Sequence, residues 1–384
     1  MTAPTFLEFF AGGGMARAGL GAGWRCLLAN DIDARKGASY VANWGAADFR
    51  LADIHRLTAA DIPGHADLLW ASFPCQDLSL AGAGKGLGGA RSGAFWGLRD
   101  LVADLAAHGR APELVVLENV VGALTSNGGA DFVALCRALA DLDLDFGAMV
   151  IDAARFVPQS RPRLFILAVK RGLAVPEALS SGEPDGNWTT MALKRAHESL
   201  PPMLKNRWLW WSLPAPPAGN QRLADLIEEE PADTRWHDRA QTKRLLSLMA
   251  PIHRAAVAAM QKTGERQVGA IYRRTRVEKG QKVQRAETRF DGFAGCLRTP
   301  GGGSSRQFII VIEGERIRTR LLSGREAARL MGLPEEYRLP ARYSETYHLL
   351  GDGVAAPAVR WLARHLLEPL AMAERSRHRV ARKK

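Results

Sequence analysis

Cysteine is scarce in this chain, and nothing in it reads as a membrane span. The cysteines among its 384 residues are Cys26, Cys75, Cys136 and Cys296, and no two share a metal-type spacing such as C-x-x-C. That excludes a zinc site built on paired cysteines and a disulfide framework; it implies reduced thiols, a cytoplasmic setting and no bound metal. No stretch approaches the roughly eighteen uninterrupted apolar residues that a spanning helix needs. The start, Met1-Thr2-Ala3-Pro4-Thr5, lacks the basic residues that open a secretory signal. No internal repeat is present, which excludes solenoid folds. The expectation is a monomeric cytoplasmic protein with no membrane segment.

Hydrophobic residues make up 47% of the chain, enough for a large core, and the length suits two domains or one with an insertion. The formal net charge is +12, unevenly spread. Residues 1–169 hold 14 Lys and Arg against 17 Asp and Glu, whereas residues 170–320 hold 26 against 16 and residues 321–384 hold 12 against 7. A catalytic core joined to a polyanion-binding part would be charged in this way.

The first 170 residues alternate strand and helix signals. Thr5–Phe10, Arg25–Ala29, Ala66–Ser72, Glu113–Leu117, Phe146–Asp152 and Leu164–Val169 read as strands. Helices are expected from Met15, over Leu98–Ala107 and over Asp131–Leu142. The alternation predicts an α/β fold, a doubly wound and mostly parallel sheet with helices on both faces. After Lys170 the rhythm is lost. Pro201-Pro202 and Pro214–Gly219 punctuate the chain, and Trp208, Trp210 and Trp211 cluster as local core. Residues 262–289 carry nine Lys and Arg against three Glu. The expected division is one domain from residues 1–185 and 344–384, and a smaller basic one from residues 186–343. An amphipathic helix from Ala356 to Glu374 and a basic tail close the chain.

Phe10-Ala11-Gly12-Gly13-Gly14 joins the first strand to its helix. Glycines there let backbone amides approach a ligand at a helix N-terminus. Asp31, at the end of the next strand and followed by Ile32, suits a pair of ribose hydroxyls; Asp53, followed by Ile54, suits an adenine amino group. No phosphate-loop lysine follows the glycines, which argues against a nucleoside triphosphate. Two acids without a basic partner fit a phosphate-free adenosyl ligand better than NADP, and an NAD site stays open on these residues alone.

Ser72-Phe73-Pro74-Cys75-Gln76 follows an apolar strand directly. Strand carboxyl ends are where open α/β sheets do chemistry. A cysteine there, ahead of six glycines between Gly82 and Gly93, is a candidate nucleophile in its thiolate form. Cys26 and Cys136 lie inside strand and helix patterns and read as buried structural thiols. Leu117-Glu118-Asn119-Val120 ends the next strand and brings a carboxylate to the same edge; Gln159-Ser160-Arg161-Pro162-Arg163 adds two guanidiniums.

In this order, the segments resemble the cytosine-5 DNA methyltransferases, chiefly the bacterial restriction-modification type. The resemblance covers nearly the whole chain and rests on Phe10–Gly14, Asn30-Asp31-Ile32-Asp33, Asp53-Ile54, Phe73-Pro74-Cys75-Gln76, Glu118-Asn119-Val120, Gln159–Arg163, Arg320–Pro334 and Tyr347–Val354. Val268–Arg306 is similar to one branch of that family. Three positions depart from its pattern: Glu8 stands where Asp is usual, Met15 where Gly is usual, and Asp352 where Asn is usual.

The resemblance implies a Rossmann-like S-adenosylmethionine-dependent fold and methyl transfer to C5 of a flipped-out cytosine. Cys75 would add to C6, Glu118 would hold the N3 and amino edge, and Arg163 would bind O2. Arg161 would support the site, while Asn119, Pro74 and Gln76 would position it. S-adenosyl-L-methionine would be held by Phe10, Ala11, Gly12, Gly14, Asp31, Ile32, Asp53, Ile54, Pro74, Asp352 and Val354. Double-stranded DNA is the implied partner, met by Arg91, Arg273, Arg274, Arg276, Arg285, Arg298, Gly302 and Arg306, with Gln284 a candidate to fill the gap left by the base. A cognate restriction endonuclease acting on the same site is a further candidate partner. A related enzyme acting on tRNA is the nearest alternative, and the large basic insertion favours DNA.

Overall fold

The computed structural model describes residues 3–74, 93–217, 219–278, 280–299 and 305–381. The chain forms two compact units: Met1–Asp152, Pro162–Pro216 and Ala356–Lys384 make the first, and Ala153–Arg161 with Pro217–Ala355 make the second.

In the first unit, β1 (Thr5–Phe9), β2 (Arg25–Asp31), β3 (Phe49–Leu51), β4 (Leu68–Ala71), β5 (Leu114–Val120), β6 (Leu144–Asp152) and β7 (Pro162–Lys170) form one sheet in the order β3-β2-β1-β4-β5-β7-β6. Pairs from β3 to β5 run parallel. β7 runs antiparallel to both of its neighbours. The expected mostly parallel α/β sheet is therefore present. Strand order reverses between β1 and β4, so their carboxyl ends flank the crevice where ligands of such sheets bind.

Sheets covered on both faces read as continuous apolar runs, and all four residues of β4 are buried. Alternate residues Leu7, Phe9, Leu69, Ala71, Val115 and Leu117 share one core with Leu98, Leu101 and Leu105 and with Phe132, Leu135 and Leu139. The helices involved follow α1 (Met15–Leu20) and α2 (Ala34–Trp44) in the chain and are α3 (Ala94–Ala107) and α4 (Ala130–Asp141).

The first unit continues past residue 185, where the sequence placed a boundary, as far as Pro216. The reason is packing. Trp188 is fully buried and its Nε1 donates to the Leu213 carbonyl at 2.9 Å. Leu193 of α5 (Met191–Glu198) and Leu204 of α6 (Pro202–Lys205) join the main core. The two-residue strands β8 (Ser180–Ser181) and β9 (Trp210–Trp211) pair antiparallel. Trp208 sets its ring edge-on to Phe132 and Phe146, so the tryptophan cluster is local core.

The second unit is built on an antiparallel sheet in the order β11-β10-β12-β13. After α7 (Arg239–Ser247) and α8 (Pro251–Lys262) come β10 (Gln267–Glu278), β11 (Gln281–Arg289), β12 (Phe308–Glu313) and β13 (Arg316–Leu321). Leu245, Met249 and Val257 close a small core on Ile271, Ala286, Phe308 and Ile310. α9 (Gly324–Leu330) starts at a capping box in which Ser323 and Glu326 satisfy each other's backbone amides. α10 (Tyr343–Asp352) belongs to this unit, which therefore extends beyond the expected residue 343 to Ala355. One cause is that the buried Tyr347 hydroxyl accepts the Gln307 amide at 2.9 Å.

The chain then returns to the first unit through α11 (Ala356–Leu362), a π-helical turn at Ala363–Leu367, and α12 (Glu368–Ala381). Gly19 of α1 permits this return, because a Cβ there would sit 2.3 Å from Val359 Cβ. No helix among the described residues is long and apolar enough to cross a membrane.

Candidate active site

The loop after β1 is held in an unusual conformation. Phe10 has φ 57° and Gly12 has φ 55°. A non-glycine residue in that region is uncommon, carries backbone strain, and marks functional loops more often than others. Asp31 fastens the loop: its Oδ2 accepts the Gly12 amide at 2.8 Å and its Oδ1 accepts the Asp33 amide at 2.8 Å. The glycines divide their work. A Cβ on Gly12 would meet nothing within 4 Å, so open space lies above its backbone. A Cβ on Gly14 would sit 2.3 Å from Trp44 Nε1, so that glycine serves packing between α1 and α2.

Ile32 is 66% exposed, an apolar side chain left uncovered beside buried Asp31. Asn30 donates to the Arg50 and Ala52 carbonyls at 3.0 and 2.9 Å, which holds the turn into Asp53. Asp53 caps a 3₁₀ turn through His55 N at 3.1 Å, and Ile54 is buried beneath it. Phe10, Gly12, Asp31, Ile32, Asp53 and Ile54 thus line the carboxyl ends of β1 to β3. Strained glycine-loop backbone, an acid at the next strand end and an exposed apolar neighbour suit an adenosyl group.

At the adjacent strand ends, Phe73 is buried and Pro74 partly so. Cys75, Gln76 and Arg91, with the glycine-rich stretch that follows Cys75, lie outside the described residues. The residues around them are defined. Asn119 is buried; its Nδ2 donates to the Phe73 carbonyl at 3.4 Å and its Oδ1 accepts the Val120 amide at 2.8 Å. Asn119 therefore links the end of β5 to the segment that leads into Cys75. Arg163 Nε lies 3.2 Å from Glu118 Oε1, with the two side chains 14% and 7% exposed. The antiparallel direction of β7 is what brings them together, because Val120 pairs with Arg163 and Glu118 with Phe165. A buried carboxyl and a guanidinium at one strand edge can together address a planar ring with donors and acceptors along one side.

Arg161 belongs to the second unit and takes part in a different arrangement. It is 1% exposed and donates to the carbonyls of Leu297 at 2.6 Å, Gly351 at 2.8 Å and Gly353 at 2.6 Å. Sequence reasoning gave it a supporting place at the reacting centre; in the folded chain it clamps the backbone around Asp352. Asp352 is exposed and accepts a hydrogen bond from the Thr299 hydroxyl, and Val354 is buried. Among the basic residues, Arg274 and Arg276 pair with Glu287, and Arg285 pairs with Glu278. Arg298 is exposed, Arg273 and Arg306 are half-buried, and Gly302 lies outside the described residues.

One buried acid escaped the sequence reading as a feature of its own. Glu8 is 1% exposed with Oε2 unpartnered, and burial pushes its carboxyl up to about 8, opposed by the Arg17 and Ala16 amides and by the Arg17 charge. The same surroundings push the Cys26 thiol up to about 12, burial first and the Glu8 charge second. Its departure from the usual Asp was the available signal. Gly97 in α3 was missed as well: a Cβ there would sit 2.7 Å from His55 Nδ1, so the glycine seats the turn that follows Asp53.

The model of the C-5 cytosine-specific DNA methylase family matches residues 4–368, and the chain belongs to that family; it is a DNA (cytosine-5)-methyltransferase. Among its relatives, the Type II methyltransferase M.HpaII of Haemophilus parainfluenzae is 26% identical over 385 residues, 95% of this chain and 90% of its own. The Type II methyltransferase M.HhaI of Haemophilus parahaemolyticus is 24% identical over 367 residues, 94% of each chain. The solved structure of the S. pombe Dnmt2 methyltransferase shares the fold, with a TM-score of 0.58 at 18% identity over 96% of this chain and 99% of its own.

Proposed function

We propose that this protein transfers a methyl group from S-adenosyl-L-methionine to C5 of a cytosine extruded from a specific sequence of duplex DNA, through a covalent bond between Cys75 and C6. The observation that carries the reading is the Glu118–Arg163 pair, 3.2 Å apart at the strand edge where the chain runs through Pro74 into Cys75. A pyrimidine C5 is too weak a nucleophile to attack a methyl sulfonium unaided, and covalent catalysis divides the step. The Cys75 thiolate adds to C6, and electron density moves to C5. Glu118 hydrogen-bonds the N3 and amino edge as charge develops there, and Arg163 binds O2. S-adenosyl-L-methionine, held by the first unit, would supply an electrophilic methyl group to C5 and leave as the neutral thioether S-adenosyl-L-homocysteine. H5 is then lost as a proton to solvent, and the C6–sulfur bond breaks to restore the thiolate.

The first unit, with Phe10, Gly12, Asp31, Ile32, Asp53 and Ile54, is assigned the cofactor and the chemistry. The second, with its basic sheet, is assigned target recognition. Extruding the base costs on the order of a few kcal/mol, which contacts to the duplex must offset. An endonuclease cutting the same sequence would be the partner against which such methylation protects.

The test is trapping. Incubation with cofactor and duplexes carrying 5-fluorocytosine should give a covalent adduct, and Cys75→Ser should abolish it while duplex binding persists. An adduct surviving in Cys75→Ser would overturn the nucleophile assignment. Methyl labelling of tRNA without labelling of duplex DNA would overturn the substrate.

A further inference from the structure

The arginines of the second unit fall into two groups when sorted by their partners. On the β10–β11 hairpin, Arg274 and Arg276 share Glu287, Arg285 pairs with Glu278, and Arg289 pairs with Asp291. Apart from the largely buried Glu287, these side chains are open to solvent, where ion pairs are worth little to stability, but each carboxylate cancels charge that a polyanion would otherwise meet. Arg244, Arg273 and Arg306 differ: among the described residues, no carboxylate lies within ion-pair distance of any of the three.

Those three, together with the Glu287-paired Arg274, line one cleft of about 710 Å³, between α7 and the face of β10, β11 and β12. Its floor is apolar, made by Leu245, Leu248 and Phe308. The Arg273 guanidinium lies 5.2 Å from the Phe308 ring centre, and its Nε is buried without a hydrogen-bond partner. The Arg306 guanidinium lies 5.1 Å from the Tyr343 ring centre. Each ring attracts the guanidinium over it and helps hold it in place. Arg244 is exposed instead, and the edge donors of a guanidinium can read paired acceptors on a base. Thr275 and Gln284 are cross-strand partners, and both line the same cleft. A side-chain amide offers one donor and one acceptor side by side, which matches the adenine edge in the major groove.

We propose that this cleft reads the base edges of the target duplex, with Arg244 and Gln284 as specificity-determining residues and Arg306 as a charge contact, while the paired hairpin arginines Arg276 and Arg285 contribute little. The proposal rests on the DNA-methylating reading above and assigns its recognition to particular side chains. It also gives Gln284 a base-reading role in place of the gap-filling one that the family resemblance suggested, and it withdraws Arg276 and Arg285, each held by a glutamate, from the duplex contacts expected of them.

The full-length enzyme is tested on duplexes randomised around a central cytosine, with bisulfite sequencing as the readout, and in duplex-binding titrations at several salt concentrations. Gln284→Ala and Arg244→Ala should each relax preference at a base position by roughly tenfold to hundredfold, the order expected for losing one good base contact. Arg306→Ala should weaken binding to all sequences and lower the salt slope by about one. Arg276→Ala and Arg285→Ala should stay within about twofold of wild type in affinity and keep its sequence preference. All five side chains are exposed or half-buried, and an unchanged melting temperature checks folding. Cleft variants with wild-type preference and slope, or hairpin variants more damaging than cleft variants, would overturn the assignment. A wild-type enzyme that methylates no duplex would instead overturn the substrate reading, so the two failures are distinguishable.

Discussion

Arg163 and Glu118 in the first unit, and Arg320 and Glu326 in the second, are both buried arginine–glutamate pairs, at 3.2 and 2.5 Å. Their surroundings differ. Arg320 and Glu326 have no exposed side-chain surface at all. Glu326 accepts both terminal nitrogens of Arg320, the Ser323 amide at 2.8 Å and the Glu228 amide at 2.8 Å. Arg320 also donates to the Leu321 and Glu228 carbonyls. That pair joins three segments of its unit and leaves no path for a ligand. The Glu118–Arg163 pair meets through Nε at a strand edge and keeps some surface on both partners. The same two residue types therefore give a fastening where the pair is fully enclosed, and the proposed reactive site where some surface is left open.

Removing one partner from each pair gives the sharpest contrast. Glu118→Gln should slow methyl transfer by on the order of 10²–10⁴-fold, the range for a lost acid–base group. Its unfolding midpoint should move little; a large loss of stability with normal turnover would erase the distinction. Glu326→Gln should cost about 3–5 kcal/mol in denaturant unfolding, because Arg320 is left charged and enclosed. Replacing both partners with apolar side chains should restore most of it, and a silent Glu326→Gln would end the fastening argument.

Glu8 supplies a smaller third case, a buried carboxyl with no cation within ion-pair distance among the described residues. Its folded pKa stands at about 8 against an ordinary 4.5. The folded chain therefore holds a proton that the unfolded chain releases, so this contribution to stability is complete below about 4.5 and is lost as pH rises through about 8. Glu8→Gln should flatten the stability profile across that window. An identical slope in the variant would place the titration elsewhere.

The first unit was legible because its signals are local. Strand and helix periods, the glycine turn after β1 and the acids ending β2 and β5 each occupy a few consecutive residues. The arginine that meets Glu118 was legible only through its motif, since contact depends on β7 running backwards. The second unit was legible as charge but not as structure. Which glutamate neutralises which arginine depends on the cross-strand register of β10 and β11, set by how the two strands align along their whole length. Arg161 illustrates the same gap: its carbonyl partners lie more than a hundred residues away in the chain. The two unit boundaries shifted for the same reason, as tryptophan burial and a tyrosine hydroxyl decided them.

The reversed strand β7 has one more consequence. Every other strand of its sheet reaches the carboxyl edge at its finish and hands its side chains to a loop. β7 reaches that edge at its outset, with ladders on both flanks from Arg163 onward. Arg163 is thus mounted on framework, a fixed datum against which loop-borne groups can be aligned.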